Sequence, residues 1–175
     1  YVRLPRPAGI SNYTDTINLS GIYARGDVSI SALQGDLALT STVQSYGGGV
    51  TLAADTGAIT NGNGYGTIRS NGNVSLTAWK DIGAADLTNP GGGNSNRRAI
   101  LLDGTTPLTL TVTALQSGRN IFLSNLGSGT TTLGTIDATG RFDYKQNSGD
   151  TVVGNVRGTA ATSLANTYGS ILDDG

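Results

Sequence analysis

Aliphatic residues along the chain come in short alternating groups: an aliphatic residue, a small residue, then a second aliphatic, with glycine and a polar or second glycine residue just before. Gly26-Asp27-Val28-Ser29-Ile30, Gly35-Asp36-Leu37-Ala38-Leu39, Gly48-Gly49-Val50-Thr51-Leu52 and Gly72-Asn73-Val74-Ser75-Leu76 are four copies of this unit. Alternation with period two makes each triplet a very short strand with two side chains inward and one outward. The preceding Gly with Asp or Asn supplies a turn that tolerates positive φ.

The distances between units indicate how the strands are arranged. The step from Val28 to Val50 is 22, from Leu37 to Ile59 also 22, from Val50 to Val74 24 and from Ile59 to Ile82 23. Two interleaved series that advance in step predict a coil of about 22 residues. A third series runs from Ile68 to Ile100, its step of 32 lengthened by a Gly/Asn loop between Leu87 and Ala99. Further on, Leu108-Thr109-Leu110, Ile121-Phe122-Leu123, Leu133 with Ile136, Phe142 with Tyr144, Val152-Val153 and Ile171-Leu172 continue with shorter steps. The step from Ile121 to Phe142 is 21 and that from Val152 to Ile171 is 19, so the second half reads as less regular.

A constant coil-sized period predicts an all-β parallel β-solenoid with about three short strands per coil of 19 to 24 residues. Each strand then pairs with its equivalent one coil along, about 4.8 Å away, and six to eight coils make a rod of roughly 30 to 40 Å. The alternative is an antiparallel β-sandwich, which also gives many short strands. Sandwich strands are longer and bring aromatic anchors, whereas this chain has one Trp and two Phe. Residues 1–175 are expected to form one elongated domain. Residues 1–16 would be a lead-in, with Val2 to Ser11 laid over the first coil as an extended strand, and residues 88–98 a loop insertion. Neither end offers a capping helix, so the unit is expected to belong to a longer solenoid or to join its own copies end to end.

Composition agrees with the all-β reading. The 24 Thr, 15 Ser and 14 Asn are 53 of 175 residues, and these types suit strands and turns and disfavour helix interiors. With 37% hydrophobic residues the chain can still bury a core, unlike a disordered polar linker. Thr, Ser and Asn are expected to face outward and keep the rod soluble. A formal charge of −1 provides no field for nucleic acid or an anionic membrane surface. No apolar run approaches the roughly 20 residues of a membrane-spanning helix, and Tyr1-Val2-Arg3-Leu4-Pro5 is not expected to be a signal peptide.

The repeated Gly-Asp/Asn-Val/Leu-Ser/Thr/Ala-Leu/Ile unit at this spacing resembles the shaft of filamentous-haemagglutinin-like bacterial exoproteins, over residues 17 to 87 and more loosely over 99 to 172. The resemblance implies a right-handed β-helix, export to the cell surface or the medium, and a part in adhesion, biofilm cohesion or filament formation. It also implies partners among other copies, cell-surface glycans or host receptors. That family's secretion domain carries Asn-Pro-Asn-type motifs. Asn89-Pro90-Gly91 departs from them, so the chain looks like shaft rather than secretion domain.

Candidate sites are few. Arg25-Gly26-Asp27 spells a triplet that can serve as an integrin-type ligand at a turn, yet Gly35-Asp36 and Gly149-Asp150 repeat the turn chemistry without the arginine. The loop 88–98 carries the only adjacent basic pair, Arg97-Arg98, and loops that leave a solenoid are common binding elements. Thr109, Thr111 and Thr113 offer three threonines on one strand face, an arrangement used by ice-binding solenoids, but no recurrence of this face is expected from coil to coil. Tyr13, Tyr23, Tyr46, Tyr65, Trp79, Tyr144 and Tyr168 could stack on sugar rings, the alternative being that they cap the core near turns.

With no His and no Cys, nucleophilic triads and most transition-metal sites are excluded. Carboxylate chemistry remains, but all 12 acids are Asp, mostly in turns before strands, and Lys80 and Lys145 stand apart. Asp173-Asp174 lacks the nonapeptide of calcium-binding β-rolls. A structural or adhesive role without cofactor is therefore expected, the alternative being a β-helix that binds or cleaves extracellular polysaccharide.

Overall fold

In a computed structural model, the chain forms a parallel β-solenoid of about seven turns, with no helix among the described residues. The structure describes residues 2–3, 15–86, 98–104 and 106–175. The first sheet stacks β1 (Val2–Arg3), β4 (Val28–Ala32), β7 (Val50–Ala54), β10 (Val74–Ala78), β12 (Leu108–Ala114), β14 (Thr131–Ala138), β16 (Thr151–Gly158) and β18 (Ile171–Asp173), in that order. The second stacks β3 (Ile22–Ala24), β6 (Thr42–Ser45), β9 (Thr67–Ser70), β11 (Ile100–Leu102), β13 (Ile121–Asn125), β15 (Arg141–Ser148) and β17 (Ala161–Tyr168). A third, smaller sheet holds β2 (Thr16–Leu19), β5 (Asp36–Leu39) and β8 (Ile59–Asn61). Strand pairing is parallel throughout the three sheets, as a solenoid requires and a sandwich does not.

Like residues stack on like. Val28, Val50, Val74, Leu110 and Leu133 form one buried column of the first sheet, and Ile30, Leu52, Leu76, Val112 and Ile136 the next. The third column is Ala32, Ala54, Ala78, Ala114 and Ala138, all buried. The short alanine side chain fits where the chain leaves this sheet and the interior narrows. Each buried leucine or isoleucine contributes roughly 1.5–3 kcal/mol of apolar transfer free energy, so the core is distributed evenly along the axis.

The third sheet does not run the whole length. Its column continues from Ile59 to Ile82 and then to Ile121, which begins β13, while the far end of β13 pairs with β11 of the second sheet. From there on, one strand replaces two. The strands β14 to β17 are all of equal length and joined by tight turns, and Thr131, Thr151 and Ile171 stack at a constant step. The second half is therefore more regular than the first, contrary to expectation. Its shorter period reflects a two-walled coil in place of a three-walled one.

Two further expectations are corrected. Ile68 pairs with Leu102 rather than Ile100, because the chain re-enters the second sheet later than the aliphatic spacing suggests. Small polar residues do not all face outward: Ser45, Asn61, Ser70, Asn125, Thr131, Gln146 and Thr151 are buried. They hold backbone groups at the corners, where the strand ladders leave donors and acceptors without partners. The Ser45 hydroxyl donates to the Gly26 carbonyl (2.8 Å) and accepts from the Gly48 N–H (2.8 Å). Ser70 donates to the Gly48 carbonyl at 3.0 Å. In the two-walled coils the Asn125 amide donates to Thr131 Oγ1 (2.8 Å), which donates to Gln146 Oε1 (3.1 Å). The buried Tyr144 hydroxyl also donates to Gln146 Oε1, and burial pushes its pKa up to about 12.

Candidate functional site

The turns from the second sheet into the first line up along one corner of the solenoid and carry residues 25–27, 46–49 and 71–73. The repeated Gly-Asp here has a specific task. Asp27 Oδ1 accepts the backbone N–H of Gly49, one coil along, at 2.7 Å. At other corners Asp36 accepts from Ala58 (2.8 Å), Asp81 from Asn120 (2.7 Å), Asn120 from Arg141 (2.9 Å) and Asp150 from Ser170 (2.9 Å). Each side chain satisfies a corner amide of the neighbouring coil, in the way an N-cap satisfies a helix. Arg25, Gly26 and Asp27 are all exposed, with one Asp27 carboxylate oxygen engaged in this bond.

Outward alternation continues past the strand ends into this corner and produces a grid. Tyr23, Gln44 and Arg69 stack in one column of the second sheet, and Arg69 bonds Asp103 of the next coil through Nε (2.8 Å) and Nη2 (2.6 Å). Two residues along each strand lie Arg25, Tyr46 and Asn71. The Tyr46 N–H donates to the Ala24 carbonyl (2.9 Å), and Asn71 Nδ2 donates to the Tyr46 carbonyl (2.7 Å). Tyr23 and Tyr46 are 58% and 55% exposed, on adjacent coils. Beside them a depression of about 270 Å³ is lined by Gln44, Ser45, Arg69, Ser70, Asn71 and Asp103. On the opposite flank of the corner, a shallow trough of about 540 Å³ runs past Asp27, Ser29, Thr51, Asn73 and Ser75.

The other aromatics are dispersed. Tyr65 lies before β9, Trp79 just past β10 and Tyr168 at the end of β17, all exposed, whereas Tyr144 is in the core. Tyr13 lies outside the described residues, as do Arg97 and the rest of the loop up to residue 97. Arg98 is exposed and lines a depression of about 340 Å³ with Asn61, Gly62, Asn63, Gly64 and Gly83.

The threonine triplet of β12 does not recur as a triplet, but its central position belongs to a column of small hydroxyl residues. Ser29, Thr51, Ser75, Thr111 and Thr135 form a continuous outward column over five coils. Beside it run Ser31, Ala53, Thr77 and Thr113, ending on Asp137, which Arg157 of the next coil bonds at 2.7 Å. The loop insertion stretches the Ser75-to-Thr111 step, and serine alternates with threonine, so a search for recurring threonine triplets misses the column.

Among the described residues no group of three or more metal-ligating side chains converges. Lys145 Nζ lies 3.9 Å from Asp86 Oδ2, its side chain mostly exposed. No family model matches the chain, and neither the curated proteins nor the solved structures contain one detectably similar to it.

Proposed function

We propose that this chain is a shaft segment of a secreted or cell-surface bacterial fibre, acting in adhesion, biofilm cohesion or filament formation and without catalysis. The observation that carries this reading is the continuous first sheet. Its eight parallel strands lie across the long axis and succeed one another along it, and identical or near-identical side chains stack from coil to coil. Such a ladder puts its hydrogen bonds in series along the rod and suits a load-bearing spacer.

The likeness to filamentous-haemagglutinin shafts rests on the repeat unit, and the parallel β-solenoid is compatible with it. Within this reading, adhesion uses the sides of the rod. Electron microscopy of the purified chain tests the proposal: rods or end-to-end filaments support it, and compact globules overturn it.

The polysaccharide alternative keeps one specific support, the pair of exposed tyrosines beside a polar depression. That arrangement favours binding over cleavage. The carboxylate in the depression, Asp103, is held by Arg69 rather than set against a second acid as glycoside hydrolysis requires.

A further inference from the structure

From the grid at the corner of the first three coils, we infer a binding site for a neutral oligosaccharide, centred on Tyr23 and Tyr46. The inference rests on the adhesive reading in one respect: it names the ligand that the side of the shaft holds.

The two tyrosines occupy diagonal positions in the grid, on successive coils. More than half of each tyrosine is open to solvent. Tyr23 lies in β3 and Tyr46 just past β6 on the next coil, whereas the other exposed aromatics, Tyr65, Trp79 and Tyr168, lie at other places along their strands. Aromatic rings offer flat apolar platforms to the C–H faces of sugars. The depression next to them is lined by planar polar groups: the Gln44 and Asn71 amides, the Arg69 guanidinium and the Asp103 carboxylate. Planar groups with two adjacent hydrogen-bonding atoms match vicinal hydroxyls, and here they line one depression of about 270 Å³, room for one or two sugar rings.

Charge narrows the ligand. Arg69 is neutralised by Asp103, and Arg25 is followed closely by Asp27, so the corner has no net field to attract a polyanion. A protein receptor for Arg25-Gly26-Asp27 would compete for the carboxylate that already caps Gly49. The rod advances about 4.8 Å per coil, similar to one residue of an extended glycan, so a chain lying along the axis meets a new row of the grid with each sugar.

The test uses the whole chain on an array of neutral and acidic oligosaccharides. The expected result is binding confined to neutral members, retained at high salt, weakened at least about tenfold by Tyr23→Ala or Tyr46→Ala and unchanged by Trp79→Ala. Tyr46→Phe keeps the ring and should bind like the parent, and Gln44→Ala should weaken binding. These two variants decide the matter if an alanine variant fails to fold. A silent array, binding to acidic glycans only, or binding indifferent to both tyrosines overturns the inference. Binding to an integrin-type receptor that Asp27→Ala abolishes, with a silent array, does so as well. A silent array from particles that are rods under the microscope rejects this site and leaves the shaft standing, whereas globules reject the shaft.

Discussion

Asp27 and Gly49, on successive coils, are joined by a 2.7 Å hydrogen bond from the glycine N–H to the aspartate carboxylate. The bond ties the two coils together at an exposed corner. Asp27→Ala should destabilise the protein by about 1 kcal/mol, and Asp27→Asn, which keeps an acceptor, by less. Gly48 makes the approach possible, because a Cβ there would stand 2.2 Å from Asp27 Oδ1. Gly48→Ala should therefore cost at least as much as Asp27→Ala. Urea denaturation of the three variants checks the order, and equal stability for all of them would contradict the capping role.

Gly35 has φ of +84°, and a Cβ there would fall 1.8 Å from the Asp15 carbonyl oxygen. Backbone and neighbour are both fixed by the coil. Gly35→Ala should cost about 3 kcal/mol or more, seen as a large fall in melting temperature. A negligible fall would mean that this corner repacks freely.

Tyr144 gives the fold an alkaline limit. Its hydroxyl has a pKa raised from 10.0 to about 12, chiefly by burial, so the folded state holds this proton more tightly than the unfolded chain does. The contribution is complete below pH 10 and is lost as the pH rises from 10 through 12, at up to about 1.4 kcal/mol per pH unit. Stability measured across that window should fall, and Tyr144→Phe should flatten the fall. An unchanged slope in Tyr144→Phe would assign the effect elsewhere.

The constant period of the two-walled half makes whole coils removable. Deleting residues 131–150 should leave a folded solenoid shorter by about 4.8 Å, with Leu110 stacking on Val153 and Val112 on Val156. Deleting residues 131–140 alone removes one wall of a coil and should prevent folding. Circular dichroism and small-angle scattering distinguish the outcomes.

Much of the fold is legible in the sequence because the core residues of the first coils are strongly periodic. Val28, Val50 and Val74 pair as their spacing indicates, and so do Leu37 and Ile59. The step from Ile121 to Phe142 is also a true register. What escapes is the change from three walls to two. It occurs through a single residue, Ile82, that belongs to no strand, and after it the same aliphatic spacing carries a different geometry. The buried polar residues escape for a different reason. Thr131 and Gln146 are polar by composition but inward by register, and only their partners show why the interior tolerates them.

The corner site is half visible in the sequence. Arg25-Gly26-Asp27 attracts notice as a triplet, and Tyr23 and Tyr46 attract it as isolated aromatics. Their membership of one grid depends on the register of the second sheet, where Tyr23 meets Gln44. The aliphatic series that reports that register, Ile22, Val43 and Ile68, is short and its steps are uneven, and Ala24 and Ser45 on the other side do not reinforce it.

The loss of the third sheet after Ile82 has a mechanical consequence. A closed prism with three walls resists flexure in every direction, whereas a two-walled ribbon is stiff within the plane of its sheets and compliant across it. Under a sideways pull, curvature will therefore gather beyond β13 and in one plane, while the prism carrying the tyrosine corner keeps its shape. The molecule is a rigid head on a leaf spring.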